Sequence, residues 1–74
     1  RIEEDSPAAG KTIAQLALRP RTGASIIALT RSGVTESNPS EKTTLLAGDI
    51  VVLLGARDEI RRAMGFIVAN KADG

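Results

Sequence analysis

A chain of 74 residues makes one small domain. At this length folding buries only about 60% of the surface the unfolded chain exposes, so the core is small and a partner surface would add to its stability. With no cysteine and no histidine, disulfides, thiolate nucleophiles, the usual catalytic triads and the commonest zinc ligands drop out together. A net charge of +1 is too small for a strong electrostatic hold on DNA or an anionic membrane. The single aromatic, Phe66, offers no stacking platform for single-stranded nucleic acid.

The longest apolar run, Ile50–Leu54, falls far short of the roughly 20 residues that span a bilayer. No apolar stretch of a signal peptide follows the opening Arg-Ile-Glu-Glu-Asp. Because it starts with Arg1 rather than Met, the chain is expected to be a piece of a longer protein.

In chain order, Arg1–Asp5 reads as a first strand or its ragged end, and Ser6-Pro7 with Gly10 as a turn. Ile13, Leu16 and Ala17 recur at helical spacing and predict a helix of about two turns. Leu18-Arg19-Pro20 is expected to end it, since the residue before a proline is pushed from the α region. Ala24–Thr30, with Ile26, Ile27 and Leu29, predicts a strand; Ser32-Gly33 predicts a tight hairpin turn and Val34–Ser37 a polar edge strand. Asn38-Pro39-Ser40 is a turn, Thr43–Leu46 a short extended piece, and Ala47-Gly48-Asp49 another turn. Ile50–Leu54, apolar throughout with three β-branched residues, is expected to be a central strand buried on both faces. After Gly55, Asp58 and Glu59 open a last helix with an apolar stripe of Ile60, Met64, Ile67 and Val68 and a wet face of Arg57, Arg61 and Arg62. Residues 70–74 read as a polar tail behind a domain spanning 1–69. Mixed strands and short helices joined by hairpins define a small two-layer α/β (α+β) sandwich.

Ala9-Gly10-Lys11-Thr12 copies the end of a phosphate-binding loop. However, Asp5 stands where that loop needs its first glycine, and no apolar strand precedes it. A turn leading into a helix is the better reading. None of the nine carboxylates sits in an apolar surround that would raise its pKa, so catalysis is not expected. Glu3-Glu4-Asp5 reads as a solvated acidic terminus rather than a calcium site. Asp49 is expected to cap the turn before the apolar strand. Arg19, Arg21 and Arg31 flank turns beside a strand, and with Asn38 supply what an anion or a nucleotide phosphate needs.

In order, Ser6-Pro7-x-x-Gly10-Lys11-Thr12-Ile13-Ala14-x-Leu16 is followed by Thr22-Gly23-Ala24 and Ile26-Ile27-Ala28-Leu29-Thr30-Arg31. Then come Asn38-Pro39 and Thr43-x-Leu45-x-x-Gly48-Asp49 before an apolar strand closed by Gly55. This ordered set resembles the TrkA C-terminal (RCK C-terminal) domain of potassium channels, transporters and cation antiporters, over about residues 2–68. The resemblance implies a β-α-β-β-β-α domain that forms a homodimer. It implies a regulatory, non-enzymatic role at the cytoplasmic face of the membrane, coupled to the membrane-embedded transporter part of a parent protein. A cation antiporter is favoured as that parent, because the domain stands here without a nucleotide-binding companion. Some family members take an effector between protomers, cyclic di-AMP in several cases and metal ions in others; here a small anionic nucleotide is expected, with no nucleic-acid partner. Carried over by position, Ile26 and Ile27 line the ligand, Arg31 meets a phosphate, and Asn38 a base or ribose. On this reading Arg31→Ala weakens an anionic ligand with little effect on stability, and Val52→Asp unfolds the domain. The alternative is a purely structural dimerisation module without ligand.

Overall fold

The computed structural model describes residues 1–68. Thr12 starts helix α1 (Ile13–Leu16): its hydroxyl accepts from the Gln15 N–H at 3.1 Å, and Gln15 Oε1 accepts from the Thr12 N–H at 2.9 Å. This reciprocal cap satisfies donors that a helix start leaves unpaired. One turn later Ala17 turns left-handed, with φ of 49°, and the chain restarts as α2 (Leu18–Thr22). Pro20 therefore does not end the helical segment as its sequence suggested. It sits in the first turn of α2, where a missing N–H needs no partner. Gly23, at φ 88°, closes α2 by donating its N–H to the Arg19 carbonyl at 2.8 Å.

Strand β1 (Ser25–Arg31) turns through Ser32 and Gly33, whose φ values of 52° and 79° match the twist of a two-residue hairpin, into β2 (Val34–Ser37). Strand β3 (Ile50–Leu54) pairs antiparallel with the other side of β1, giving the order β2-β1-β3. The register aligns Leu29 with Val51 and Ile26 with Leu53, and a bulge leaves Ile27 without a partner on β3. The expectation of a central strand buried on both faces is therefore corrected. β1 is the middle strand and β3 an edge, with Ile50, Val52 and Leu54 exposed by 49%, 46% and 62%. The physical reason is the layering: one face of the sheet carries the core and the other has no layer over it.

Arg1–Asp5 forms no strand. Its anchor is Ile2, fully buried, whose N–H donates to the Asp49 carbonyl and whose carbonyl accepts from Gly48, both at 2.7 Å. Thr43–Leu46 contributes an isolated bridge between Thr44 and Thr12 and buries Leu45. The implied β-α-β-β-β-α order thus loses its opening strand and has its first helix in two pieces, while the two-layer α+β class stands.

Helix α3 (Arg57–Ile67) closes the fold. It buries Ala63 and Ile67 and packs Ile60 and Phe66 against the core of Ile2, Ala8, Leu16, Leu18, Ala24, Leu29 and Leu45. Met64 and Val68, which the sequence stripe placed inside, are 41% and 52% exposed. The apolar face is rotated toward Ala63, which is fully buried, and the element α3 packs against most is α2. The Ser6 hydroxyl donates to the Ile67 carbonyl, and the Arg21 guanidinium lies 4.3 Å from the centre of the Phe66 ring, so the C-terminal end of α3 is tied down at two points. The polar tail expected over 70–74 lies outside the described residues.

Candidate functional site

The four residues singled out as ligand contacts fall in two places. Ile26 and Ile27 lie half-buried at the start of β1, Ile26 packed on the core and Ile27 at the bulge. Asn38 joins them: it is left-handed, with φ of 49°, and its N–H donates to the Ile27 carbonyl at 2.8 Å. Asparagine tolerates this conformation better than most residues, and here it lets the chain leave β2 while its exposed side chain stays beside the bulge.

Arg31 is at the other end of β1, four residues along, or about 13 Å at the rise of a strand. Its Nε donates to Asp49 Oδ1 at 2.8 Å and its Nη2 to Asp49 Oδ2 at 2.7 Å, a bidentate pair, and Nη2 also donates to the Thr44 carbonyl at 2.9 Å. Asp49 is 1% exposed and also accepts from the Leu46 N–H at 2.8 Å. The predicted turn cap is therefore present, and Arg31 completes it. The Arg31 hydrogen bonds hold the Asp49 carboxyl below its ordinary range, outweighing the burial that opposes ionisation. Asp49 and, more weakly, Glu36 raise the pKa of Arg31. The expectation that Arg31→Ala leaves stability nearly unchanged is corrected, because that change strands a buried carboxylate. Val52→Asp is corrected likewise: Val52 is 46% exposed, so a charge there stays hydrated.

Beside Ile26 a cleft of about 300 Å³ opens between the two short helices and β1. Ile13, Ala17, Leu18 and Pro20 give it apolar walls, with Arg19 and Glu41 as its charged groups. The sequence marked Arg19 and Ile26 for a ligand but not the other residues lining this cleft. Glu41 reaches the cleft through a long-range backbone contact, the Ala14 N–H donating to its carbonyl at 2.8 Å. Among the described residues, no cluster of three or more acidic, histidine or cysteine side chains is placed to hold a metal ion, and no helix is long and apolar enough to cross a membrane.

A three-stranded antiparallel sheet layered with short helices, with turn arginines and an Asn at its strand ends, defines a small α+β domain. The chain belongs to the TrkA-C (RCK C-terminal) family, whose TrkA-C domain profile matches residues 1–68. Among solved structures it resembles the RCK_C domain dimer of S. agalactiae BusR in complex with c-di-AMP, at 29% identity and a TM-score of 0.79, covering 90% of this chain and 84% of that one. It also resembles the RCK C domain of the potassium transport protein KtrA in complex with c-di-AMP, at 30% identity and a TM-score of 0.69, covering 78% and 69%. A third similar structure is the GsuK RCK domain, at 33% identity and a TM-score of 0.76, where the match covers 86% of this chain but 14% of that one. No curated protein sequence matches. The same BusR fold also occurs in a structure with busAB-promoter DNA, of which this chain covers 33%. The expectation of no nucleic-acid partner does not hold for BusR, a relative with this domain that is solved with DNA.

Proposed function

We propose that residues 1–69 act as a regulatory domain that pairs with a second copy and takes a small anionic nucleotide, cyclic di-AMP or a related effector, at the interface. The observation that carries this reading is the likeness, over most of the chain, to the RCK_C domains of BusR and KtrA, both solved with c-di-AMP. Ile26, Ile27 and Asn38, gathered at one end of β1, are the proposed lining. Arg31 contributes through Nη1, the nitrogen not engaged by Asp49 or Thr44. An effector with unequal affinity for two dimer arrangements shifts their populations, and that difference does the work on the rest of the parent. The parent is proposed to be a potassium or other cation transport protein, a cation:proton antiporter in the most specific version, with this domain at the cytoplasmic face of the membrane.

Isothermal titration of the chain with c-di-AMP, AMP, ATP and NADH tests the ligand. Binding of c-di-AMP that weakens in Asn38→Ala is the expected result, and flat heats for all four nucleotides defeat it. A second reading, dimerisation without a ligand, is favoured by the occupied guanidinium of Arg31 and the exposed apolar side of β3. Flat heats from a chain that sediments as a dimer select it.

A further inference from the structure

The two charged residues of the cleft between α1, α2 and β1 reach it from different parts of the chain. Arg19 stands on α2, beyond the left-handed break at Ala17. Glu41 lies in the segment after β2, held beside α1 by the Ala14 N–H on its carbonyl. Both side chains are exposed, and among the described residues neither makes a hydrogen bond or an ion pair, with the other or with any neighbour. A cation and an anion thus border one cleft at more than ion-pair distance. Between them the walls are apolar, with Ile13, Leu18, Pro20 and Ile26. A volume of about 300 Å³ lies at the lower end of the range for small-molecule sites, which suits one small metabolite rather than a peptide.

Charge narrows the choice of occupant. An apolar carboxylate satisfies Arg19 but is repelled by Glu41, and an apolar amine does the reverse. A molecule with both charges and an apolar group satisfies the whole cleft. Its carboxylate accepts from the guanidinium, its ammonium donates to the Glu41 carboxylate, and its apolar group is removed from water. We infer that this cleft binds a free α-amino acid with an apolar side chain in its zwitterionic form, Arg19 holding the α-carboxylate and Glu41 the α-ammonium. The site is an input separate from the proposed nucleotide and does not depend on that reading, since Ile27 and Asn38 do not line the cleft.

The test is isothermal titration of the chain with leucine, valine and phenylalanine, and with leucinamide and isocaproate, analogues of leucine that each lack one charge. The same titrations are run on Arg19→Gln and Glu41→Gln, with thermal unfolding as a control for the fold. The expected results are binding of at least one of the amino acids, no binding of either analogue by the wild-type chain, and affinity for the amino acid about tenfold lower in each variant. Glu41→Gln, with the repulsion removed, is expected to gain binding of isocaproate, which a merely structural role would not produce. The analogues probe both charges on the wild-type chain, so the outcome does not hang on either variant folding. No heat from any of the amino acids at millimolar concentration, wild-type binding of leucinamide and isocaproate as tight as that of leucine, or an affinity that either variant leaves unchanged overturns the inference.

Discussion

Asp49 carries a charge at a position 1% exposed because Arg31 and the Leu46 N–H supply its hydrogen bonds. Asp49→Asn loses the charge-assisted pair and is expected to cost about 1–3 kcal/mol, measured by urea unfolding. The pH dependence follows in sign. The folded-state pKa of Asp49 lies below its unfolded value of about 3.9. Its contribution is therefore complete above that value and is lost as pH falls through the folded pKa. Thermal midpoints are expected to fall below about pH 4, with a shallower fall in Asp49→Asn; parallel acid limbs would remove Asp49 as a cause. Part of this was legible beforehand. A Gly-Asp before an apolar strand signals a turn cap, but the second bond to Arg31, 18 residues away, depends on strand pairing that local sequence does not encode.

At the scale of elements, α2 meets α3 where Gly23 faces Glu59. A Cβ on Gly23 would lie 2.5 Å from Glu59 Oε2, and its φ of 88° strains any other residue. Glu59 also accepts from the Ala56 N–H at 2.7 Å, which caps the start of α3. Gly23→Ala is thus expected to lower stability by about 1–3 kcal/mol, with Glu59→Gly plus Gly23→Ala losing less than the sum of the two single changes. Additive losses in a double-mutant cycle would disprove the contact. The edge strand gives a contrasting pair. Leu45→Ala, at a fully buried position, is expected to cost about 2–5 kcal/mol. Val52→Asp, on the open face, should leave a cooperative fold with unfolding changed by less than about 1 kcal/mol. The sequence misled here because a run of five apolar residues hides the alternation that separates a one-sided strand from a two-sided one.

For the whole molecule, the open side of β3 exposes Ile50, Val52 and Leu54 on a strand with an unpaired edge, which is an association hazard unless covered. Sedimentation equilibrium is expected to show a dimer at micromolar concentration, and a monomer throughout that range would defeat the proposed pairing. If the β3 face takes part, Val52→Asp shifts the equilibrium toward monomer without unfolding it; an unchanged dimer places the interface elsewhere. The residues proposed as ligand contacts show the same division between local and global information. Ile26, Ile27 and Asn38 lie together because a hairpin brings near neighbours together. Arg31 was grouped with them only through its place in the chain, and the extended strand carries it to the far end.

From residue order alone came the family, read from an ordered set of motifs along most of the chain, and the hairpin at Ser32-Gly33, the polar strand after it and the capping role of Asp49, which rest on conformational preferences within a few positions. Tertiary structure decided that β1 rather than β3 is central, that Ala63 rather than Met64 faces the core, and that Arg31 belongs to Asp49. Those outcomes depend on which surfaces meet across the chain, and the hydrophobic gain of burial goes to whichever side chains the packed layers enclose.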